Sequence, residues 1–227
     1  MPVYDPLPLL YADDRLIAVA KPSGLPVHRG AARERIVALT LARDRIGRHV
    51  FPVHRLDRAT SGVLLFALDP EAARRLQEQF EAGAVRKRYL ALVRGITPPE
   101  GVIDHPIPRD EDGPRVPAVT GYRRLATFER YSLVEALPRT GRRHQIRRHL
   151  KHVSHPLIGD VRYGKGEHNR LFRERFGLHR LALHALEIAF AHPGDGRPLC
   201  LGAPVAEDLA GPLRSMGLDT DTWTSTD

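Results

Sequence analysis

The chain has 227 residues, of which 42% are hydrophobic and 27% charged, ordinary globular composition on a length that suits one large domain or two small ones. Lys and Arg total 35 against 27 for Asp and Glu, a formal net charge of +8, and the lone Cys200 excludes an internal disulfide or a multi-cysteine zinc site. Arg supplies most of the cations, and its planar fork suits phosphate and base faces, so this balance implies nucleic acid as partner ahead of an anionic membrane.

In chain order, two short apolar runs, Leu7 to Leu10 and Leu16 to Ala20, flank Ala12-Asp13-Asp14 and predict a hairpin ending at Pro22-Ser23-Gly24. No basic region precedes an apolar run at the N terminus, so no signal peptide is expected. No apolar stretch approaches the ~18 residues of a membrane span. Together with the single cysteine, these features predict a reducing, cytoplasmic setting without a membrane partner. Val37, Leu41 and Ile46 have helical spacing, with Gly47 as the stop. GVLLFAL from Gly62 reads as a buried strand. Asp69 is a suitable N-cap and Pro70 a suitable first helical residue for PEAARRLQEQFEAG, with Ala73, Leu76 and Phe80 on one side and Gly83 closing it.

RKRYLALVRG predicts a strand in which Tyr89, Ala91 and Val93 alternate against Leu90 and Leu92. Residues 97 to 117, rich in Pro, Gly and charge, predict a linker or crossover. TGYRRLATFER and YSLVEALPR predict a strand pair turning near Glu129-Arg130. RRHQIRRHLKHV predicts a basic amphipathic helix with Ile146, Leu150 and Val153 on its apolar side. GDVRYGKGEHNRLFRERFG reads as a long loop with one helical turn. RLALHALEIAFAHP then predicts a strand, APVAEDLAGPLRSMG a helix, and residues 218 to 227 a frayed tail. Cys200, in RPLCLGAP, is expected to be a buried small hydrophobe. Helices and strands mix without regular βαβ alternation, which predicts an α+β fold with a largely antiparallel or mixed sheet, as one domain over residues 1 to 217.

Cations gather at RGAARER near residue 29, VRKRYL near 86 and GRRHQIRRHLKH from 141. In the last, Arg143, His144 and Arg147 are expected to share a helical face while Ile146 and Leu150 turn away. A solvated face normally mixes signs, yet residues 139 to 155 contain no Asp or Glu, which points to a face for a polyanion. His149, His152 and His155 are spaced by threes but sit among cations. With no HExxH and no carboxylate cluster, no metal site is expected. A phosphate loop is absent, and Ser61 lacks the nucleophile-elbow pattern.

HRLDRATSG, residues 54 to 62, places Asp57 between Arg55 and Arg58. An Asp there can cap a turn or pair with a neighbouring Arg. Flanking cations also favour the ionised carboxylate, which can act as nucleophile or electrostatic stabiliser at an anomeric carbon. A glycosidase needs a second carboxylate, and none is evident. The residues alone leave both readings open.

HRLDRATSGVLLFA resembles the signature of the RluA family of pseudouridine synthases. KPSGLPVH (21 to 28), KRYLALVRG (87 to 95), TGRRHQIRRHL (140 to 150), HPLIGD (155 to 160) and RLALHA (180 to 185) resemble that family's other blocks, in order. The resemblance implies the pseudouridine synthase catalytic fold, a mixed, largely antiparallel central sheet flanked by helices with the active-site cleft across it. It also implies a cofactor-independent isomerase that breaks the C1′–N1 bond of a uridine in RNA, turns the base over and rejoins it through C5. By the family pattern Asp57 is the essential carboxylate. Tyr89 stacks on the target ring and assists removal of the C5 proton, and Arg147 holds Asp57 by a salt bridge. Arg55 is the wedge at the vacated base position, Ile146 and Leu181 line the uracil pocket, and His54, Arg142 and His144 join the RNA-contacting set. LPVHRG, RDRIGRHVFPVHRLDR and HNRLFRERFGLHRLALHA look most like the branch that modifies a T-stem uridine of tRNA, although the connection at residues 104 to 117 is shorter than that branch leads one to expect. Ribosomal RNA is the alternative substrate, and a catalytically silent RNA-binding or chaperone domain the alternative class. No additional N-terminal RNA-binding domain and a monomeric state are expected.

Overall fold

A computed structural model of the chain describes residues 5–29, 36–109 and 113–224. β1 (Leu9–Ala12) and β2 (Leu16–Lys21) pair antiparallel. Their turn is made by Asp13, whose Oδ1 accepts from the backbone N–H groups of Arg15 and Leu16 at 2.8 and 2.9 Å. α1 (Ala38–Ile46) stops at Gly47, which sits in the left-handed region at φ 70°. β3 (Phe51–Pro52) precedes β4 (Ser61–Ala67), every residue of which is buried. α2 (Pro70–Glu81) starts where Asp69 accepts from the Ala72 N–H at 2.9 Å. Next come β5 (Arg86–Arg94), β6 (Glu100–Asp104), β7 (Ile107–Pro108), β8 (Arg115–Val116), β9 (Val119–Phe128) and β10 (Tyr131–Pro138). α3 (Gln145–His152), α4 (Gly166–Phe176), β11 (Leu183–Ala191), β12 (Pro198–Gly202), α5 (Glu207–Ser215) and α6 (Asp221–Thr224) follow.

The chain divides into two compact units, Met1–Val85 with Ala185–Pro204, and Arg86–His184 with Val205–Asp227. In the first, strands run in the order β1-β2-β4-β11, with β3 on β4 and β12 on β11. β2 and β4 pair antiparallel from Leu16↔Ala67 to Lys21↔Gly62. Ile17, Val19, Leu64, Phe66 and Leu76 of α2 belong to its buried core. In the second, β5-β10-β9-β6 pair antiparallel throughout, and Leu90, Leu92, Leu133, Leu150 and Phe172 are buried. Leu90 to Val93 are buried without alternation, so this part of β5 is covered on both faces. The class is α+β, as the mixed order of elements predicts.

Four expectations are corrected. Residues 97–117 are not an unstructured linker, because β6, β7 and β8 lie within them. Ile103 and Ile107 anchor these strands in the interior, and β6 pairs with β9 alone at the end of its strand order. Pro and Gly are tolerated in such edge positions, which is why their density misleads there. Residues 159–177 hold the three-turn helix α4 rather than one turn. His168, Phe172 and Phe176 recur every four residues, and Phe172 packs edge-to-face on Tyr131 with centroids 4.6 Å apart. Cys200 is exposed, because β12 pairs with β11 alone. In the segment read as a tail, Leu218 and Thr220 are buried and α6 adds a helical turn; residues 225–227 lie outside the described residues. Most of RGAARER, residues 30–35, and the acidic run at 110–112 lie outside them as well.

Of the histidines spaced by threes, His149 alone is buried, and His168 of the second unit is buried as well. His149 is fully buried, with Nε2 3.0 Å from the His105 carbonyl oxygen and Nδ1 2.9 Å from Thr120 Oγ1. His105 stacks on His152 with centroids 3.6 Å apart. His168 Nδ1 lies 2.8 Å from the Tyr131 hydroxyl. Burial pushes His149, His105 and His168 below the usual histidine range, and neighbouring cations push the same way: His152 and Arg115 at His105, Arg130 at His168. The unfolded chain therefore takes up protons first as pH falls. The stability tied to these groups is complete above about pH 6.5 and is lost as the pH drops below it. Thermal unfolding is expected to show a level midpoint from about pH 7 to 8 and a falling one from about pH 6.5 to 5; a level midpoint across both ranges contradicts this assignment.

Candidate active site

The loop between β3 and β4 carries HRLDRATSG, and its neighbours fix its shape. Asp57 opens a turn in which its carbonyl accepts from the Thr60 N–H at 3.0 Å. The Lys21-Pro22-Ser23-Gly24 turn clasps the other side. Gly24 N–H donates to the Arg58 carbonyl at 2.8 Å, Ser23 Oγ to the Ala59 carbonyl at 2.8 Å, and Arg58 Nε to the Gly24 carbonyl at 3.0 Å. Lys21, only 1% exposed, donates Nζ to the carbonyls of Leu25, Pro22 and Arg58 at 2.7, 2.9 and 3.2 Å. A buried ammonium costs little only when carbonyls replace its water, so Lys21 ties the two turns together. Sequence reasoning did not single it out.

His54 Nε2 accepts from the Leu65 N–H at 2.9 Å, and its ring stacks on Phe80 with centroids 5.1 Å apart. Those contacts spend Nε2 and one ring face on the fold. Arg55 is exposed, Asp57 half-buried and Thr60 and Ser61 buried. Gly62 closes the motif at φ +117°, where an added Cβ would lie 2.1 Å from the Ala185 carbonyl oxygen of β11. The glycine is a packing requirement, because β4 and β11 approach too closely for a side chain.

In the second unit Tyr89 lies half-buried on β5, opposite Ala136 of β10. Lys87 shares its face two residues earlier, and burial pushes that ammonium below the usual lysine range. α3 begins at Gln145, three residues later than the basic run predicts. His144 takes a left-handed conformation, φ 55° and ψ 26°, which the N-cap tolerates only with support. Gln145 supplies it. Its Oε1 accepts from Thr140 Oγ1 and the Arg142 N–H at 2.7 and 3.0 Å, while Nε2 donates to Val119 O and Thr120 Oγ1 at 2.9 and 3.0 Å. Arg142 and Arg143 are exposed ahead of the helix, and Arg142 Nε donates to the Pro117 carbonyl at 3.2 Å. His144 Nδ1 lies 3.0 Å from the Tyr163 hydroxyl. Ile146 and Leu181 are 6% and 3% exposed.

Arg147 departs furthest from expectation. It does not share a solvent face with Arg143 and His144, being 7% exposed. Its Nε and Nη2 donate to Asp160 Oδ2 and Oδ1 at 2.7 and 2.9 Å, a bidentate pair whose carboxylate is wholly buried. The counter-charge of Arg147 thus stands just beyond the acid-free run of 139–155. Burial pushes the Asp160 carboxyl up, but the Arg147 pair and the N–H groups of Tyr163 and Arg162 outweigh it and hold it below the usual carboxylate range. Tyr163 carries a belt of cations, with Arg147, Arg162, Arg148 and Lys151 at 5.1, 5.6, 5.8 and 5.8 Å from its ring centroid. Among the described residues, no group of three or more His, Cys, Asp and Glu is placed to hold a metal ion, and no helix is long and apolar enough to cross a membrane.

The family model for RNA pseudouridylate synthase matches residues 15–152, a span that carries the Asp57 turn, Tyr89 and α3. The chain belongs to the RNA pseudouridylate synthase family. The chain is an enzyme, an isomerase. Similar curated proteins include tRNA pseudouridine synthase C of Salmonella typhimurium, 45% identical over 93% of this chain and 90% of that one. The Vibrio cholerae protein of the same name is 42% identical over 93% and 96%. Among solved structures, human RNA Pseudouridylate Synthase Domain Containing 4 matches with a TM-score of 0.77 at 28% identity, over 93% of this chain and 94% of that one. Domain Containing 1 matches at 0.75 and 26%, over 91% and 87%. The fold is therefore the pseudouridine synthase catalytic fold.

Proposed function

We propose that this enzyme converts a T-stem uridine of tRNA to pseudouridine. The observation that carries the reading is the 45% identity, over 93% of the chain, to a protein named tRNA pseudouridine synthase C. In this reading, which follows the family pattern, Asp57 acts at the reacting sugar or base, Tyr89 stacks on the uracil, and Arg147 is the salt-bridge partner of the Asp57 carboxylate. Ile146 and Leu181 line the uracil pocket. Arg55 fills the vacated base position, and Arg142 and His144 contact the RNA. His54 supports the loop through its bond to β4 and presents the motif to RNA. The C1′–N1 bond breaks, C5 bonds to C1′, a proton leaves C5 and one is gained at N1. Atoms balance without a co-reactant, so no cofactor is needed.

The test is mapping of carbodiimide-reactive pseudouridines in unmodified tRNA transcripts and ribosomal RNA fragments after incubation with the purified protein. A new stop in the T stem of tRNA is expected. Modification of ribosomal RNA alone, or of neither, overturns the substrate assignment.

A further inference from the structure

The turn that follows α3 is built around one buried carboxylate, and its construction exceeds what an ordinary turn requires. Asp160 Oδ1 accepts from the N–H groups of Arg162 and Tyr163 at 2.9 and 3.0 Å, besides Nη2 of Arg147. Its carbonyl accepts from Asn169 Nδ2 at 3.0 Å and the Gly164 N–H at 3.1 Å, while Asn169 Oδ1 accepts from the Gly159 N–H at 2.8 Å. The glycines permit this closure. A Cβ on Gly159 would lie 1.8 Å from the Arg180 carbonyl oxygen, and one on Gly164 would lie 2.3 Å from that of Asp160. The two backbone N–H groups on Oδ1, with the closed turn around them, therefore fix where the carboxylate points.

The held group is a guanidinium, whose fork has five N–H donors in a rigid plane. Engaging Nε and Nη2 on one carboxylate sets that plane and the direction of Nη1. The Tyr163 ring lies 5.1 Å from Arg147 Cζ, and its hydroxyl accepts from Arg148 Nε at 3.0 Å, so the ring itself is braced. A buried ion pair of this kind is weak support for stability as such, since two well-packed apolar residues often do as well. Its use is orientation, because a reacting constellation must hold its geometry to a fraction of an ångström.

We propose that Asp160 is a positioning residue for catalysis. It orients Arg147 through the bidentate pair and fixes the direction in which the guanidinium is held. The inference rests on the role given to Arg147 above. It separates two tasks within one block of sequence: Arg147 touches the machinery, and Asp160 acts through it.

The test compares wild type with Asp160→Asn, Asp160→Glu and Arg147→Lys on a tRNA transcript that the wild type modifies. In Asp160→Asn one acceptor oxygen remains and one fork contact is lost. Its kcat is expected to fall on the order of 100-fold while KM and RNA affinity stay within about threefold. Asp160→Glu keeps the charge and is expected to recover part of the rate. Arg147→Lys/Asp160→Asn is expected to be no slower than Arg147→Lys alone, since residues acting as one unit are not additive. A readout free of turnover is the Arg147 Nε–H resonance, expected sharp and slowly exchanging in wild type and broadened or lost in Asp160→Asn. An unchanged kcat in Asp160→Asn beside an active wild type overturns the positioning role and leaves the proposed function standing. Equal losses in kcat and RNA affinity reduce Asp160 to a structural residue and overturn it too.

Discussion

Replacing Asp57 with Ala is expected to abolish pseudouridine formation, with a loss on the order of 10⁴-fold in turnover, as when one member of a catalytic unit is removed. The fold is expected to survive, because the turn at Asp57 is closed by its backbone carbonyl on the Thr60 N–H and Ala keeps that bond. The clasp on the loop comes from Lys21, Ser23 and Gly24 through backbone carbonyls of neighbouring residues. Asp57→Asn adds a near-isosteric control that removes charge without volume. Both variants are expected to bind tRNA within about threefold of wild type, since backbone phosphates supply most of the affinity. The measurement is single-turnover tritium release from C5-labelled uridine in tRNA, with filter binding in parallel. Turnover above one-tenth of wild type in Asp57→Asn removes Asp57 from the reacting centre. Lost binding in both variants gives it a structural role instead.

How far the sequence reveals this arrangement depends on the separation of the interacting groups. Local signals read well. Asp69 and Pro70 mark the start of α2, Gly47 the end of α1, and GVLLFAL a wholly buried strand, because caps and apolar runs act within a few residues. Asp57 was different. Its nine-residue setting admits a capping role as readily as a chemical one, and only the resemblance of the ordered blocks elsewhere in the chain favours the chemical one. The support beneath it was illegible. Lys21 sits 37 residues from Arg58, whose carbonyl it binds, and no periodicity marks a lysine that will be buried among carbonyls. Arg147 shows the opposite failure. The acid-free run of 139–155 suggested a solvent-facing cationic helix, yet a side chain beside Ile146 and Leu150 is drawn inward once an acid is buried within its reach. Asp160 lies in the HPLIGD block, where nothing local marks it as the partner of an arginine 13 residues earlier. α4 is hard to read because Arg, Glu and Asn dominate its composition, although His168, Phe172 and Phe176 carry its apolar side.

The Arg147–Asp160 pair also yields the largest expected effect on stability. Arg147→Ala strands a buried carboxylate that is 1% exposed, and removing one partner of a buried pair costs about 3–5 kcal/mol. The N–H groups of Arg162 and Tyr163 remain as donors, which places the expected loss toward the lower end, about 3 kcal/mol. Urea unfolding is expected to show an earlier midpoint with an unchanged slope. As pH falls through the Asp160 range the deficit shrinks, because protonation removes the stranded charge. In wild type the sign is reversed: the depressed Asp160 carboxyl contributes stability that is present above the unfolded-state value near pH ~4 and is lost as pH falls toward its folded value. Arg147→Met with Asp160→Leu is expected to recover only part of the unfolding midpoint and to stay inactive for want of the guanidinium. An apolar pair avoids the desolvation cost but leaves the Arg162 and Tyr163 N–H groups without their acceptor. Arg74 gives the contrast. It pairs with Glu71 and Glu78 on the exposed side of α2, where solvent screens the charges, and Arg74→Ala is expected to leave the midpoint nearly unmoved. Equal shifts for Arg147→Ala and Arg74→Ala would show that the buried pair holds no more of the fold together than a surface one, and the orientation argument would lose its rigid base.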